Sequence, residues 1–145
     1  RPALAGFVLA HDGTDAAVYD IVAPPAPAVV ASIDGFYPLE RRGSQRWRWM
    51  GGRGSWIIQV PRTTAATLDL ELSGYQHSRR VAMSLNVRRI AVLQAGVERS
   101  WHRVELVALA PGPHELTFEA LEPVSPAPPG DPRMLSVMLH DWRWR

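Results

Sequence analysis

Thr67-Leu68-Asp69-Leu70-Glu71-Leu72-Ser73 is the stretch whose reading decides the fold. Leucines alternate strictly with polar residues, and in an extended chain residues two apart share a face. Such a strand turns leucine to a core and carboxylate to water, as in an antiparallel sheet solvated on one side. The period of two recurs on the C-terminal side. Val81, Met83 and Leu85 alternate with Ala82, Ser84 and Asn86, and Ile90 and Val92 continue beyond a turn at Asn86-Val87-Arg88-Arg89. Trp101 to Leu109 sets Val104 and Leu106 against Arg103 and Glu105, and His114 to Leu121 sets Leu116 and Phe118 between Glu115, Thr117 and Glu119. Pro111-Gly112-Pro113 divides those two strands. Pro123 to Pro132, with five prolines, reads as a loop, and Met134 to Arg143 as a last strand.

Toward the N-terminus, Leu4 to Ala10 and Ala17 to Val22 flank a turn signal, His11-Asp12-Gly13-Thr14. Pro24-Pro25-Ala26-Pro27 is an extended connector, since proline donates nothing to a ladder. Val29 to Ile33 is a short strand. Trp47-Arg48-Trp49 is extended too, and Gly51-Gly52-Arg53-Gly54 before Ser55 to Val60 reads as the turn of a hairpin. Turn signals about ten residues apart, without a sustained 3.6-residue period, predict an all-β fold: an antiparallel, jelly-roll-like β-sandwich of about eight to ten strands. It is read as one domain over residues 1–145. Residues 1–34 form an N-terminal hairpin, added to a sheet edge, with the proline-rich connector; residues 35–145 form the main sandwich.

With 145 residues and 46% apolar composition, the chain has enough material for a core. All sixteen basic residues are arginine, the net charge is +2, and the fourteen acids are interleaved, so the balance does not favour nucleic acid. Arg41-Arg42, Arg79-Arg80 and Arg88-Arg89 read as solvated turn pairs. The absence of cysteine excludes disulfides and thiol chemistry. No apolar run is long enough to span a bilayer, so this piece is not expected to insert in a membrane. The start at Arg1-Pro2-Ala3, without Met, suggests an excised or processed fragment.

Candidate chemistry is sparse. The histidines, His11, His77, His102, His114 and His140, have no metal-ligand spacing, and no Asp-rich calcium loop is present. No cofactor or metal is expected. His11-Asp12 and His140-Asp141 are neighbours on strands and so are expected on opposite faces. No nucleophile, base and orienter can be named together, and the chain is read as non-catalytic. Tryptophan beside arginine is the more distinctive feature, in Trp47-Arg48-Trp49 and Trp142-Arg143-Trp144. Each triplet offers two indoles on one face and a guanidinium on the other. Indole stacks on the C–H face of a sugar ring while charged groups bond its hydroxyls; the same rings also build ordinary sandwich cores. Asp131-Pro132-Arg133 opens the last strand, where the arginine is placed to bridge to Glu40.

From Gly35 onward the chain resembles a β-sandwich accessory domain attached to bacterial membrane glycosyltransferases of the dolichyl-phosphate-mannose mannosyltransferase-like kind. The motifs that carry the resemblance are Gly35-Phe36-Tyr37-Pro38-Leu39-Glu40, Arg46-Trp47-Arg48-Trp49, Leu85-Asn86, Trp101, Ala110 to Leu116 and Asp131-Pro132-Arg133-Met134-Leu135. The family's Asn-Gly hairpin position is Asn86-Val87 here. The resemblance implies a carbohydrate-binding-module-like architecture, an extracytoplasmic location within a membrane-anchored protein, and a glycan or the parent glycosyltransferase as partner. It implies no catalytic residue. The expected ligand site is where Trp47, Arg48 and Trp49 meet Asp131 and Arg133; the alternative is a structural or protein-interaction domain with no ligand of its own.

Overall fold

The computed structural model describes residues 7–12, 17–21 and 26–145, with side chains from residue 26 onward. The expected strand start at Leu4, the turn at Gly13-Thr14 and the first prolines of the connector, Pro24-Pro25, lie outside the described residues, as do the rest of residues 1–6, 13–16 and 22–25. The strands are β1 (Phe7–Asp12), β2 (Ala17–Ile21), β3 (Val29–Phe36), β4 (Glu40–Arg42), β5 (Gln45–Val60), β6 (Thr64–Gly74), β7 (Arg79–Leu85), β8 (Arg88–Ala95), β9 (Ser100–Leu109), β10 (Gly112–Ala120), β11 (Ser125–Pro126), β12 (Met134–Leu135) and β13 (Val137–Trp144). The fold is all-β, with no helix among the described residues, and the strand pairings are antiparallel.

Nine strands form one sheet that folds over on itself, in the order β8-β7-β10-β5-β13-β6-β9, with β3 and β4 also paired to β5. β5 makes the fold-over. Its second half pairs with β10 and β3, its first half with β4 and β13. The expected hairpin at Gly51 to Gly54 is therefore a single sixteen-residue strand. Its glycines serve packing rather than turning. A Cβ on Gly54 would lie 2.3 Å from the Phe36 ring, which packs there, and one on Gly35, at φ +70°, would lie 2.4 Å from Arg53 O. The true reversal comes earlier, at Gly43, where φ is +60°. Among the described residues, β1 and β2 pair only with each other, in a two-stranded sheet, and not with an edge of the main sheet as expected.

The core lies between the two layers. Leu68, Leu70 and Leu72 of β6 face Leu116 and Phe118 of β10 and Trp56 and Ile58 of β5, all buried. Trp56 is completely enclosed, its ring 4.9 Å from Phe118 and 5.1 Å from Trp142. Arg79, read as a solvated turn residue, is also completely buried. Its guanidinium donates to Tyr75 O, Pro123 O and Ser125 Oγ, because a buried charge is tolerated when its donors are satisfied. It thereby ties the proline-rich segment to the sandwich. That segment is not wholly irregular, since β11 within it pairs with β12.

β13 contains the irregularity that matters most. Between Leu139 and Asp141 its register against β6 slips by one residue, a β-bulge at His140. Before the bulge Val137 and Leu139 point inward; after it Trp142 and Trp144 do, opposite the core residues Leu70 and Leu68. Asp141 and Arg143 consequently face out.

Candidate ligand-binding face

The outward residues of β13, β6 and β9 meet in cross-strand rows. One row is Arg143, Asp69, Arg103; the next is Asp141, Glu71, Trp101. The alternation of each strand puts these side chains on the solvent side, and strand order makes them neighbours. Asp69 is the anchor. Only 6% exposed, it accepts from Arg103 Nε at 2.9 Å and Arg145 Nε at 2.6 Å, and these bonds hold its carboxyl below the usual carboxylate range. Arg145 is brought there by backbone bonds in both directions with Thr67. Glu71 is clasped by Arg99, whose Nη2 lies 3.0 Å from each carboxylate oxygen.

Trp101 is 43% exposed. The Arg143 guanidinium lies 4.4 Å from its ring centroid, a cation–π contact. Asp69, Trp101, Arg103, Arg143 and Arg145 line a groove of about 320 Å³, with His102 completing the lining. A second groove, of about 360 Å³, lies beside Glu71 and is lined by Arg46, Arg99, His140 and Asp141 among others. The bulge brings His140 and Asp141 to the same groove, although neighbouring strand residues were expected on opposite faces. His140 Nε2 lies 2.9 Å from Ser73 Oγ, and burial, with the Arg99 charge, depresses its pKa.

No protein-family model matches the chain, and no curated protein matches it in sequence. Solved structures do match in fold. A family 35 carbohydrate-binding module from an environmental isolate superposes with a TM-score of 0.54 at 12% identity, covering 81% of this chain and 91% of the module. The fold is carbohydrate-binding-module-like. An exo-β-1,3-galactanase of Phanerochaete chrysosporium, solved with β-1,3-galactotriose, matches with a TM-score of 0.52 at 14% identity, over 88% of this chain and 30% of the enzyme. A family 115 4-O-methyl-α-glucuronidase with specificity for decorated arabinogalactans matches at 0.50 and 11% identity, over 90% of this chain and 19% of that one. Such folds thus occur both as isolated modules and within enzyme chains.

In this module-like fold, Trp47, Arg48, Asp131 and Arg133 are linked to Glu40 or Tyr37, while the Trp49 ring packs elsewhere and Arg48 lies on the opposite face of β5 from the two indoles. Trp47 is opposite Glu40 across the β4–β5 ribbon, and Arg48 Nη1 donates to Tyr37 O at 3.4 Å. Arg133 bridges Glu40 and Asp131, with its Nη2 2.6 Å from Asp131 Oδ2 and its guanidinium 5.4 Å from the Tyr37 ring centroid. These bonds lower the Asp131 pKa and raise that of Arg133. Trp47 and Trp49 share the outer face of their sheet, yet both are half-buried. Trp47 Nε1 is sealed from solvent, and Trp49 stands edge-on to Tyr75 at 5.3 Å. The second triplet is arranged oppositely, with Trp142 and Trp144 inward and Arg143 out. Sequence reading missed the Trp101 groove because its residues come from three strands distant in the chain. The available signal was the set of outward alternates, Asp69, Glu71, Trp101 and Arg103.

Proposed function

We propose that this domain is a non-catalytic carbohydrate-binding module, an accessory part of a glycan-handling protein, and that saccharide docks on the outer face of β13, β6 and β9. The observation that carries the proposal is Trp101, exposed in a groove whose other walls are guanidinium and carboxylate groups. An indole face takes the C–H side of a sugar ring, and the flanking charged groups bond its hydroxyls. The adjoining groove at Glu71 and His140 gives room for a neighbouring sugar unit. The cluster of Trp47, Arg48, Trp49, Asp131 and Arg133 is the second position for a ligand. Its rings are less exposed and its arginine is already paired.

The parent is proposed to be a membrane-anchored glycosyltransferase-type protein, with this domain held outside the cytoplasm. Support for that comes from the motifs running from Gly35-Phe36-Tyr37-Pro38 to Asp131-Pro132-Arg133. No helix among the described residues is long and apolar enough to cross a membrane. A second reading, a protein-interaction domain, is favoured by a groove of about 280 Å³ lined in part by Leu85, Ile90, Leu106 and Val107, the last 71% exposed.

A glycan array with the wild type, Trp101→Ala and Trp49→Ala tests the proposal. Trp101→Ala is expected to weaken binding by about ten-fold, the scale of one lost aromatic contact, with folding intact by circular dichroism. Loss in Trp49→Ala alone would move the site to the other cluster. A wild-type domain that holds no glycan would leave the interaction reading.

A further inference from the structure

We infer that the saccharide recognised on this face carries an anionic group, a carboxylate or a sulfate, presented beside Trp101; this rests on the reading that the face binds saccharide. Three guanidiniums line the groove against one carboxylate. That carboxylate, Asp69, is nearly buried and is occupied by protein donors. It orients Arg103 and Arg145 chiefly through Nε, which leaves terminal nitrogens for something else. Among the described residues no acceptor meets Arg103 Nη1 or either terminal nitrogen of Arg145. Arg143 comes no nearer than 3.8 Å to Asp141 and spends its plane on the indole. These three side chains are 61%, 60% and 58% exposed respectively, so they meet a ligand without unfolding anything.

A neutral sugar would leave most of those donors to water, whereas a planar or tetrahedral oxyanion accepts two at once from a guanidinium fork. The neighbouring groove makes the contrast. There Arg46 and Arg99 are matched by Glu71 and Asp141, and that half of the face suits an uncharged unit. The excess of positive charge is confined to the groove that also holds the exposed ring. A sugar packed against Trp101 would hold its acidic substituent against the guanidiniums, and the next unit would lie toward Glu71.

Isothermal titration of the whole chain with β-1,4-galactotetraose, tetragalacturonate and a κ-carrageenan tetrasaccharide separates neutral, carboxylated and sulfated ligands. At least one acidic oligosaccharide should bind about ten-fold more tightly than the neutral one, the difference expected for a charge-assisted pair, and added salt should narrow the gap. The double variant Arg143→Gln, Arg145→Gln should abolish the preference while its circular dichroism remains that of the wild type, with Tm falling modestly as Asp69 loses its bond from Arg145. Equal affinity for the neutral tetraose would overturn the anionic inference and leave the glycan reading standing. So would a preference that survives in the double variant. Tighter binding of oligothymidylate than of any saccharide would overturn it in favour of nucleic acid. Binding of none of the probes would sink the inference, and the array with Trp101→Ala would then judge the glycan reading separately.

Discussion

Val87 sits at φ +67° and is 93% exposed, following Asn86 at φ +47° in the two-residue connection between β7 and β8. Two successive positive φ values are those of a type I′ turn, whose second position favours glycine. Asn86 tolerates its place because its side chain is used. Its Oδ1 accepts from Glu115 N at 2.9 Å, and its Nδ2 lies 2.8 Å from His114 Nδ1. Val87 has a β-branch and no such compensation. The left-handed conformation costs a non-glycine residue about 1–2 kcal/mol, and glycine gives back about 0.5–1 kcal/mol in chain entropy. Val87→Gly is therefore expected to stabilise the domain by about 0.5–1 kcal/mol, read as a Tm rise of about 1–4 °C by thermal circular dichroism. Unchanged or lowered Tm would show the turn to be relaxed as it stands. The turn was legible from Asn86; its exact form was not, because valine signals strand.

At the scale of elements, Arg133 joins pieces that are remote in the chain. It enters β12 from the proline-rich segment and bonds Asp131 two residues back and Glu40 at the start of β4. Tyr37, whose ring lies near the guanidinium, also accepts from Met134 N at 3.3 Å. Arg133→Leu strands two half-buried carboxylates, and the expected result is a lower urea midpoint than that of the wild type. Arg133→Lys should fall between, since an ammonium cannot span both carboxylates in one plane. Equal stability of the leucine variant would mean the bridge contributes nothing net. The Arg133–Glu40 pairing was legible in the sequence from charge and position. The bulge at His140 and the unbroken β5 were not, since a period-two pattern neither registers one extra residue nor tells a packing glycine from a turning one.

For the molecule as a whole, the shifted carboxyls and histidines act in the same direction with pH. Asp69, Glu122 and Asp131 have carboxyls depressed by arginine hydrogen bonds, so their contribution is present above about pH 4 and is lost as pH falls through the native values. His102 and His140 are depressed chiefly by burial, so the native state binds fewer protons and loses stability as pH falls below about 6.5. Tm should hold level near pH 7–8, decline toward pH 5, and drop again below pH 4. His140→Gln should flatten the first decline; a slope unchanged in that variant would assign it to other groups. What the sequence by itself determined is the all-β class, the inward leucines of β6 and the outward acids beside them, because alternation is a local property of an extended chain. Which strands became neighbours was decided only in three dimensions. Asp69, Trp101 and Arg143 come from β6, β9 and β13, and pairing among distant strands is settled by closure of a shared core. The bulge that turned Arg143 outward and Trp142 inward belongs to that same closure.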